Sequence, residues 1–174
     1  MIGSRSRSRE IALQVLYCVD QVESPAAAHW ELTLNEAEAS PEVKAFAREL
    51  VAGVLGQRDE IDRHIAAAAD NWDLRRLAAV DRNILRLSVH ELLSRRDIPA
   101  KVSINEAIEL GKRFSTAQSG AFINGILDRI RRDLQLPVDG PPAEGAREAE
   151  AGADTGAASD AGAESEPESA RRAD

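Results

Sequence analysis

Apolar residues recur at helical spacing along most of the first 136 positions of the chain. The clearest run follows Ser40-Pro41-Glu42, which supplies the N-cap residue, the first-turn proline and the early acid of a helix start. Its apolar positions are Val43, Phe46, Ala47, Leu50, Val51 and Val54. The same periodicity predicts helices over residues 10–22 and 58–69. Together these three helices predict a small N-terminal bundle.

Residues 74–93 are apolar on two sides of a predicted helix. Its two stripes are Leu77, Val80, Ile84 and Leu87 on one side, and Leu85, Val89, Leu92 and Leu93 on the other. Because a helix that is apolar on two sides is packed between neighbours, we expect this one to be central.

Residues 102–130 predict two helices joined by a polar turn at 115–120, an αα-hairpin that other helices must cover. Ser103 and Glu106 have the spacing of a capping box at the start of the first helix. Gly111 within that helix either allows a close approach by another helix or costs roughly 1 kcal/mol relative to alanine. Between the first two predicted helices, residues 24–39 are predicted to be a loop, with Trp30 folded back over those helices as a lid.

Both ends of the chain differ in composition from this helical domain, residues 10–136. Residues 137–174 contain no Leu, Ile or Phe, and their ten acidic residues and three arginines account for −7 of the net charge of −8. Such a composition cannot bury enough apolar surface to fold, so we expect a disordered acidic tail. Residues 1–9 alternate serine with Arg5, Arg7 and Arg9 and predict a flexible basic arm. Three arginines alone favour a solvated terminus over a phosphate-binding one.

Few patterns in the sequence point to catalysis. The single cysteine, Cys18, excludes an internal disulfide and suits a reducing cytoplasm, and the three histidines lack metal-ligand spacing. Gly111-Lys112 fails the phosphate-loop pattern, because Glu106 and Arg113 stand where glycine and Ser or Thr are required. No apolar run reaches the length of a membrane span. We therefore expect a protein without catalytic residues, metal or cofactor.

Four segments resemble the NusB transcription antitermination family: RSRSREIALQVLY, DLRRLAAVDRNILRLSVHELL, IPAKVSINEAIELGKRF and FINGILDRI. The resemblance extends from about residue 5 to residue 130. It implies an all-α fold of two small packed helical bundles. It also implies a function, in which the protein binds the boxA sequence of ribosomal RNA leaders together with the ribosomal protein NusE. That complex loads onto RNA polymerase and suppresses premature termination.

The resemblance also assigns roles to individual residues. Its RNA-binding positions correspond to Arg5, Arg7, Arg9, Tyr17, Phe122 and Asn124. Asp81 falls at the acidic position of the helix that faces NusE. Cationic and aromatic side chains are what single-stranded RNA requires, which agrees with these roles. The chain departs from the family at Gln118, where an acid is frequent.

Two alternatives to an RNA-binding antitermination factor stay open on sequence grounds. One is a protein adaptor that binds NusE with little direct RNA contact, which an arm diluted by serines allows. The other is a detached domain of a ribosomal RNA cytosine methyltransferase. That enzyme would need a following Rossmann-like domain with a glycine-rich turn, and residues 137–174 are expected to be disordered instead. The sequence also leaves open whether the protein forms a homodimer.

Overall fold

The computed structural model describes residues 3–22, 30–70 and 73–139, and these residues are helical without any strand. Seven α-helices are present: α1 (Ser4–Gln21), α2 (Trp30–Glu36), α3 (Pro41–Gly56), α4 (Arg58–Ala68), α5 (Ala79–Ser94), α6 (Ala100–Phe114) and α7 (Ser119–Asp133). None of the helices within these ranges is long and apolar enough to cross a membrane. The all-α prediction is confirmed.

Helix α5 is the centre of the fold, as its two apolar stripes predict. It packs against α1, α3, α4, α6 and α7, and every residue from Asn83 to Leu92 is buried. The helix begins later than expected, at Ala79. Before it, Leu74–Arg76 forms a single 3-10 turn, which is capped because the Asp73 carboxylate accepts a hydrogen bond from the Arg75 backbone N–H at 3.0 Å.

Helices α1 to α3 form one group and helices α4, α6 and α7 form another, and both groups pack against α5 around one continuous apolar core. At the start of α3, the Ser40 side chain accepts from the Val43 N–H as predicted. Helix α4 packs mainly on α5 and α7, so its predicted place in the N-terminal bundle was wrong. Residues 30–36 form α2 instead of a loop, and Trp30 is half-buried against the core.

The α6–α7 hairpin is present, but the predicted capping box is wrong. Helix α6 starts at Ala100, so Ser103 lies one turn inside it, buried and without a hydrogen-bond partner for its hydroxyl. The chain supplies a different cap: beyond α7 it returns to α6, and the Val138 carbonyl accepts from the Lys101 N–H at 3.0 Å. Gly111 does allow a close approach, since a Cβ there would lie 2.7 Å from Ile123 Cδ1 on α7.

Residues 137–139, the first three of the predicted acidic tail, contact the helical domain through the Val138 carbonyl and the Asp139 carboxylate, which lies 3.7 Å from Lys101 Nζ. Leu136 is buried, and Arg131 Nη1 donates to its carbonyl at 3.0 Å, which directs the following residues towards α6. The prediction of disorder for residues 140–174 lies outside the described residues.

Candidate functional site

The predicted basic arm is helical from Ser4 onward, because its serines bond to the rest of the protein. The Ser8 hydroxyl is buried and donates to the Val43 carbonyl of α3 at 2.9 Å. The Ser6 hydroxyl donates to Glu106 Oε1 of α6 at 2.9 Å. The expectation of a flexible arm over residues 1–9 is corrected for the residues from Ser4 onward. As a consequence, the three arginines project from the helix in fixed and different directions.

Arg9 points into the protein. Its Nε donates to Glu91 Oε1 of α5 at 2.8 Å, and its Nη1 lies 3.7 Å from Glu106 Oε2 of α6. The Arg9 side chain is only 4% exposed. In this arrangement Arg9 stabilises the packing of α1 on α5 and does not present its charge to a ligand.

Arg5 lies on the same side of α1, one turn earlier. Its guanidinium carbon is 4.9 Å from the centre of the Phe46 ring, and Arg95 approaches that ring at the same distance. Arg5 Nη1 also lies 3.8 Å from Asp97 Oδ2, although more than half of the Arg5 side chain is exposed. These contacts direct Arg5 towards α3 and the end of α5.

Arg7 and Tyr17 line a groove of about 280 Å³ beside α6. We call it the α1–α6 groove; its lining residues are Arg7, Glu10, Leu13, Gln14, Tyr17, Val80, Arg113 and Phe114. Of the predicted RNA-binding residues, the structure thus brings together Arg7 and Tyr17. Arg5, Arg9, Phe122 and Asn124 are not among the residues that line the groove.

Glu10 organises the cations of the α1–α6 groove. It is buried, it accepts from Arg7 Nη1 at 2.9 Å, and it forms a second ion pair with Arg113 of α6. The Arg113 guanidinium in turn lies 5.1 Å from the centre of the Phe114 ring. One carboxylate therefore holds two guanidinium groups from different helices at the same groove.

The chemistry of the groove suits a single-stranded nucleic acid. Tyr17 is 40% exposed and Phe114 is 43% exposed, so both aromatic side chains are accessible to a base that stacks. Arg7 and Arg113 retain exposed side chains beside them, and guanidinium groups bind phosphate oxygens. The sequence did not identify Arg113 and Phe114 as site residues, although they are the last two residues of a segment that resembles the family. Their proximity to Tyr17 depends on how α6 packs against α1, which the sequence does not show.

Asp81 lies in the first turn of α5 and is not among the residues that line the groove. It is 9% exposed, and its Oδ2 accepts from the Ser119 hydroxyl of α7 at 3.0 Å. The residue before it, Val80, lines the α1–α6 groove. Phe122 and Asn124 lie farther along α7, where Phe122 is 38% exposed and Asn124 is exposed. The position of Asp81 is therefore internal, whereas Phe122 and Asn124 are accessible.

A second charged cluster joins the end of α1 to α4 and α5. Arg58, Arg82 and Arg86 all donate to the Asp20 carboxylate, and Arg86 also binds Asp62 with two hydrogen bonds of 2.7 and 2.8 Å. Burial alone would raise the pKa of Asp20, but the hydrogen bonds from Arg82 and Arg86 outweigh it and hold that pKa below its usual value. Because each of its charges has a partner, we interpret this cluster as a structural tie between helices.

The fold and the α1–α6 groove define an all-helical protein with an aromatic and cationic surface of the kind that binds nucleic acid. The model of the NusB family matches residues 6–132, and the chain therefore belongs to the NusB family. A "Transcription antitermination protein NusB" from Myxococcus xanthus is 48% identical over 140 residues, which cover 78% of this chain and 100% of the relative. Another, from Geobacter sulfurreducens, is 50% identical over 134 residues, covering 76% and 97%.

Solved structures agree with this assignment. NusB from T. maritima superposes with a TM-score of 0.68 at 38% identity, and the match covers 76% of this chain and 94% of that one. A chain from the "Crystal Structure of Antitermination Factors NusB and NusE in complex with dsRNA" has a TM-score of 0.68 at 26% identity, covering 76% and 99%.

Proposed function

We propose that this protein is a transcription antitermination factor that binds the boxA element of ribosomal RNA leaders together with NusE. In that role it joins the elongation complex of RNA polymerase in the cytoplasm and prevents premature termination. Family membership, the names of the relatives and the similarity to a chain from a NusB–NusE–RNA structure support the proposal. The α1–α6 groove supports it from the chemistry of this chain.

The observation that carries the proposal is the Glu10-centred pair of arginines in the same groove as two exposed aromatic rings. Arg7 and Arg113 bind phosphates at the rim of the groove, while Tyr17 and Phe114 stack on bases. Preorganisation by Glu10 reduces the side-chain entropy that the two arginines lose when RNA binds. Phe122 and Asn124 extend the surface along α7. Arg5 lies outside the groove, where its contacts with Phe46 and Asp97 compete with phosphate binding. Arg9 supports it from within, as a residue that keeps α1 in place.

The adaptor function has one observation in its favour. Arg5 and Arg9 contact protein groups, so fewer cations are available to RNA than the sequence of the arm suggests. An adaptor would bind NusE through the surface around the start of α5, near Asp81, and would not bind RNA on its own.

Binding of labelled boxA RNA, measured by fluorescence anisotropy with and without NusE, distinguishes the two functions. We expect the protein alone to bind boxA RNA more tightly than a scrambled RNA of the same length, and NusE to increase the affinity further. RNA binding that appears only with NusE and is unaffected by Tyr17→Ala would support the adaptor. A transcription assay through a terminator downstream of boxA then tests antitermination itself.

A further inference from the structure

Ser119, the first residue of α7, is the centre of a small buried hydrogen-bond network. Its hydroxyl is 3.0 Å from Asp81 Oδ2, 3.2 Å from the Thr116 backbone N, 2.9 Å from Thr116 Oγ1 and 3.0 Å from Ser115 Oγ. A carboxylate can only accept, so Ser119 donates its single proton to Asp81. The hydroxyl is then an acceptor for the N–H of Thr116. Both Ser119 and Asp81 are more than nine-tenths buried.

This network determines the conformation of the turn between α6 and α7. The turn follows Phe114, which lines the α1–α6 groove, and it precedes Phe122, the exposed aromatic residue of α7. On the other side of the network, Asp81 follows Val80, which also lines the groove. Asp81 therefore connects the start of α5 to the segment that carries both aromatic side chains.

Asp81 itself has no route to a binding partner in this conformation. Its Oδ1 is buried and has no hydrogen-bond partner, and its Oδ2 is occupied by Ser119. The charge is tolerated because Asp81 lies in the first turn of α5 and contacts the first residue of α7, where helix dipoles favour an anion.

We infer that Asp81 is a positioning residue that acts through Ser119: it holds the α6–α7 turn, and thereby Phe114 and Phe122, in the geometry that RNA binding requires. This inference rests on the proposed function and gives Asp81 a role different from direct contact with NusE. It also makes the RNA-facing turn sensitive to whatever binds at the start of α5, because one hydrogen bond connects the two surfaces.

The test compares Asp81→Ala, Ser119→Ala, the double variant and the conservative Asp81→Asn, whose amide oxygen still accepts from Ser119. Ser103→Ala is the matched control, since it removes a buried α6 hydroxyl that has no partner. In the free protein, NMR hydrogen exchange of the Thr116 amide reports on the turn without any RNA. We expect its exchange to accelerate about two- to tenfold in Asp81→Ala and Ser119→Ala, the equivalent of one hydrogen bond, and to stay unchanged in Asp81→Asn and Ser103→Ala.

RNA affinity is the second readout. Both single alanine variants should weaken binding by about threefold to tenfold, with no further loss in the double variant and an unchanged salt dependence. Asp81→Asn should bind as the wild type does, and affinity for NusE without RNA should be unchanged. If Thr116 exchange accelerates in the two alanine variants but the wild-type protein does not bind RNA, the proposed function is overturned and the hydrogen-bond network of the turn is retained. Unchanged exchange, additive losses, or weakened NusE binding in Asp81→Asn would overturn the positioning role.

Discussion

Arg9 and Glu91 form an ion pair inside the protein, with 2.8 Å between Arg9 Nε and Glu91 Oε1 and side chains that are 4% and 1% exposed. The pair connects α1 to the central helix α5. An arginine that belongs by sequence to a ligand-binding arm is therefore part of the structural core of this protein.

Replacing Arg9 with alanine should consequently destabilise the fold. The substitution leaves Glu91 buried without its cation, and breaking a buried pair in this way costs about 3–5 kcal/mol. Chemical denaturation monitored by circular dichroism measures the loss. Arg5→Ala, which removes an arginine that is mostly exposed, is the matched control and should cost less than about 1 kcal/mol. Equal stability of the two variants would contradict the buried role of Arg9.

The sequence predicts the helices well and the start of the chain poorly, for a physical reason. Helical periodicity depends on local spacing, so α3, the central α5 and the α6–α7 hairpin could be predicted. The order of residues 4–9 depends on Ser8 donating to Val43 and on Arg9 pairing with Glu91, which lie 35 and 82 positions away. Such contacts leave no local signal.

The candidate site shows the same limit. The resemblance identified Arg7 and Tyr17, but only the structure separates them from Arg5 and Arg9, which lie on another side of α1. Arg113 and Phe114 join the groove through the packing of α6. Contact with RNA stays a prediction for each of these residues, as it does for Phe122 and Asn124.

His90 should make stability depend on pH. Its ring is buried against Gly53, where a Cβ would collide with it, and its Nδ1 lies 3.0 Å from Gln57 Oε1. Burial and then the nearby Arg95 lower the pKa of His90 below the ordinary value of 6.5. The unfolded chain therefore binds a proton at higher pH than the folded protein does. The resulting stability is fully present above pH 6.5 and is lost as the pH falls from there towards the lowered pKa.

Unfolding free energies at about pH 7.5 and about pH 5.5 measure this effect. The wild type should be less stable at the lower pH, and His90→Gln, which cannot titrate, should lose less between the two. The carboxylates with lowered pKa, Asp20, Asp73 and Asp97, titrate below 3.8 and so do not interfere in this window. A His90→Gln variant with the same pH dependence as the wild type would exclude His90 as the cause.

Asp20→Asn tests the charged cluster between α1, α4 and α5. The variant keeps the shape of the side chain but removes the anion that binds Arg58, Arg82 and Arg86, two of which are nearly buried. We expect a loss of about 3 kcal/mol in denaturant unfolding. Arg58→Gln, at the exposed side of the cluster, should cost less than about 1 kcal/mol. A neutral Asp20→Asn would show that the cluster does not stabilise the helix packing.

Two truncations measure the cap that the C-terminal segment gives to α6. A chain ending at Asp139 keeps the Val138 carbonyl, whereas a chain ending at Leu136 leaves the Lys101 N–H without it. The shorter chain should be less stable than the longer one by about 0.5–1.5 kcal/mol, the net contribution of one hydrogen bond. Thermal melts of the two proteins compare them directly, and identical melting temperatures would contradict the cap.

Tyr17→Ala tests stacking in the α1–α6 groove. If a base stacks on this ring, binding of boxA RNA should weaken by about 1–3 kcal/mol, while the salt dependence of binding stays the same because no phosphate contact is lost. Leu32→Ala, on α2 and 61% exposed, is a control for the loss of an exposed apolar side chain. Equal affinities of Tyr17→Ala and the wild type would remove Tyr17 from the RNA site.

The most direct test of the RNA-binding groove is the salt dependence of boxA RNA binding for the wild type, Arg7→Ala and Arg5→Ala. Each phosphate contact contributes about 0.7 to the slope of log K against log salt for a single strand. Because Arg7 lines the groove and Arg5 contacts Phe46 and Asp97, Arg7→Ala should flatten the slope by about 0.7 and Arg5→Ala should leave it unchanged. An unchanged slope in Arg7→Ala, with the loss in Arg5→Ala instead, would contradict RNA binding in the α1–α6 groove.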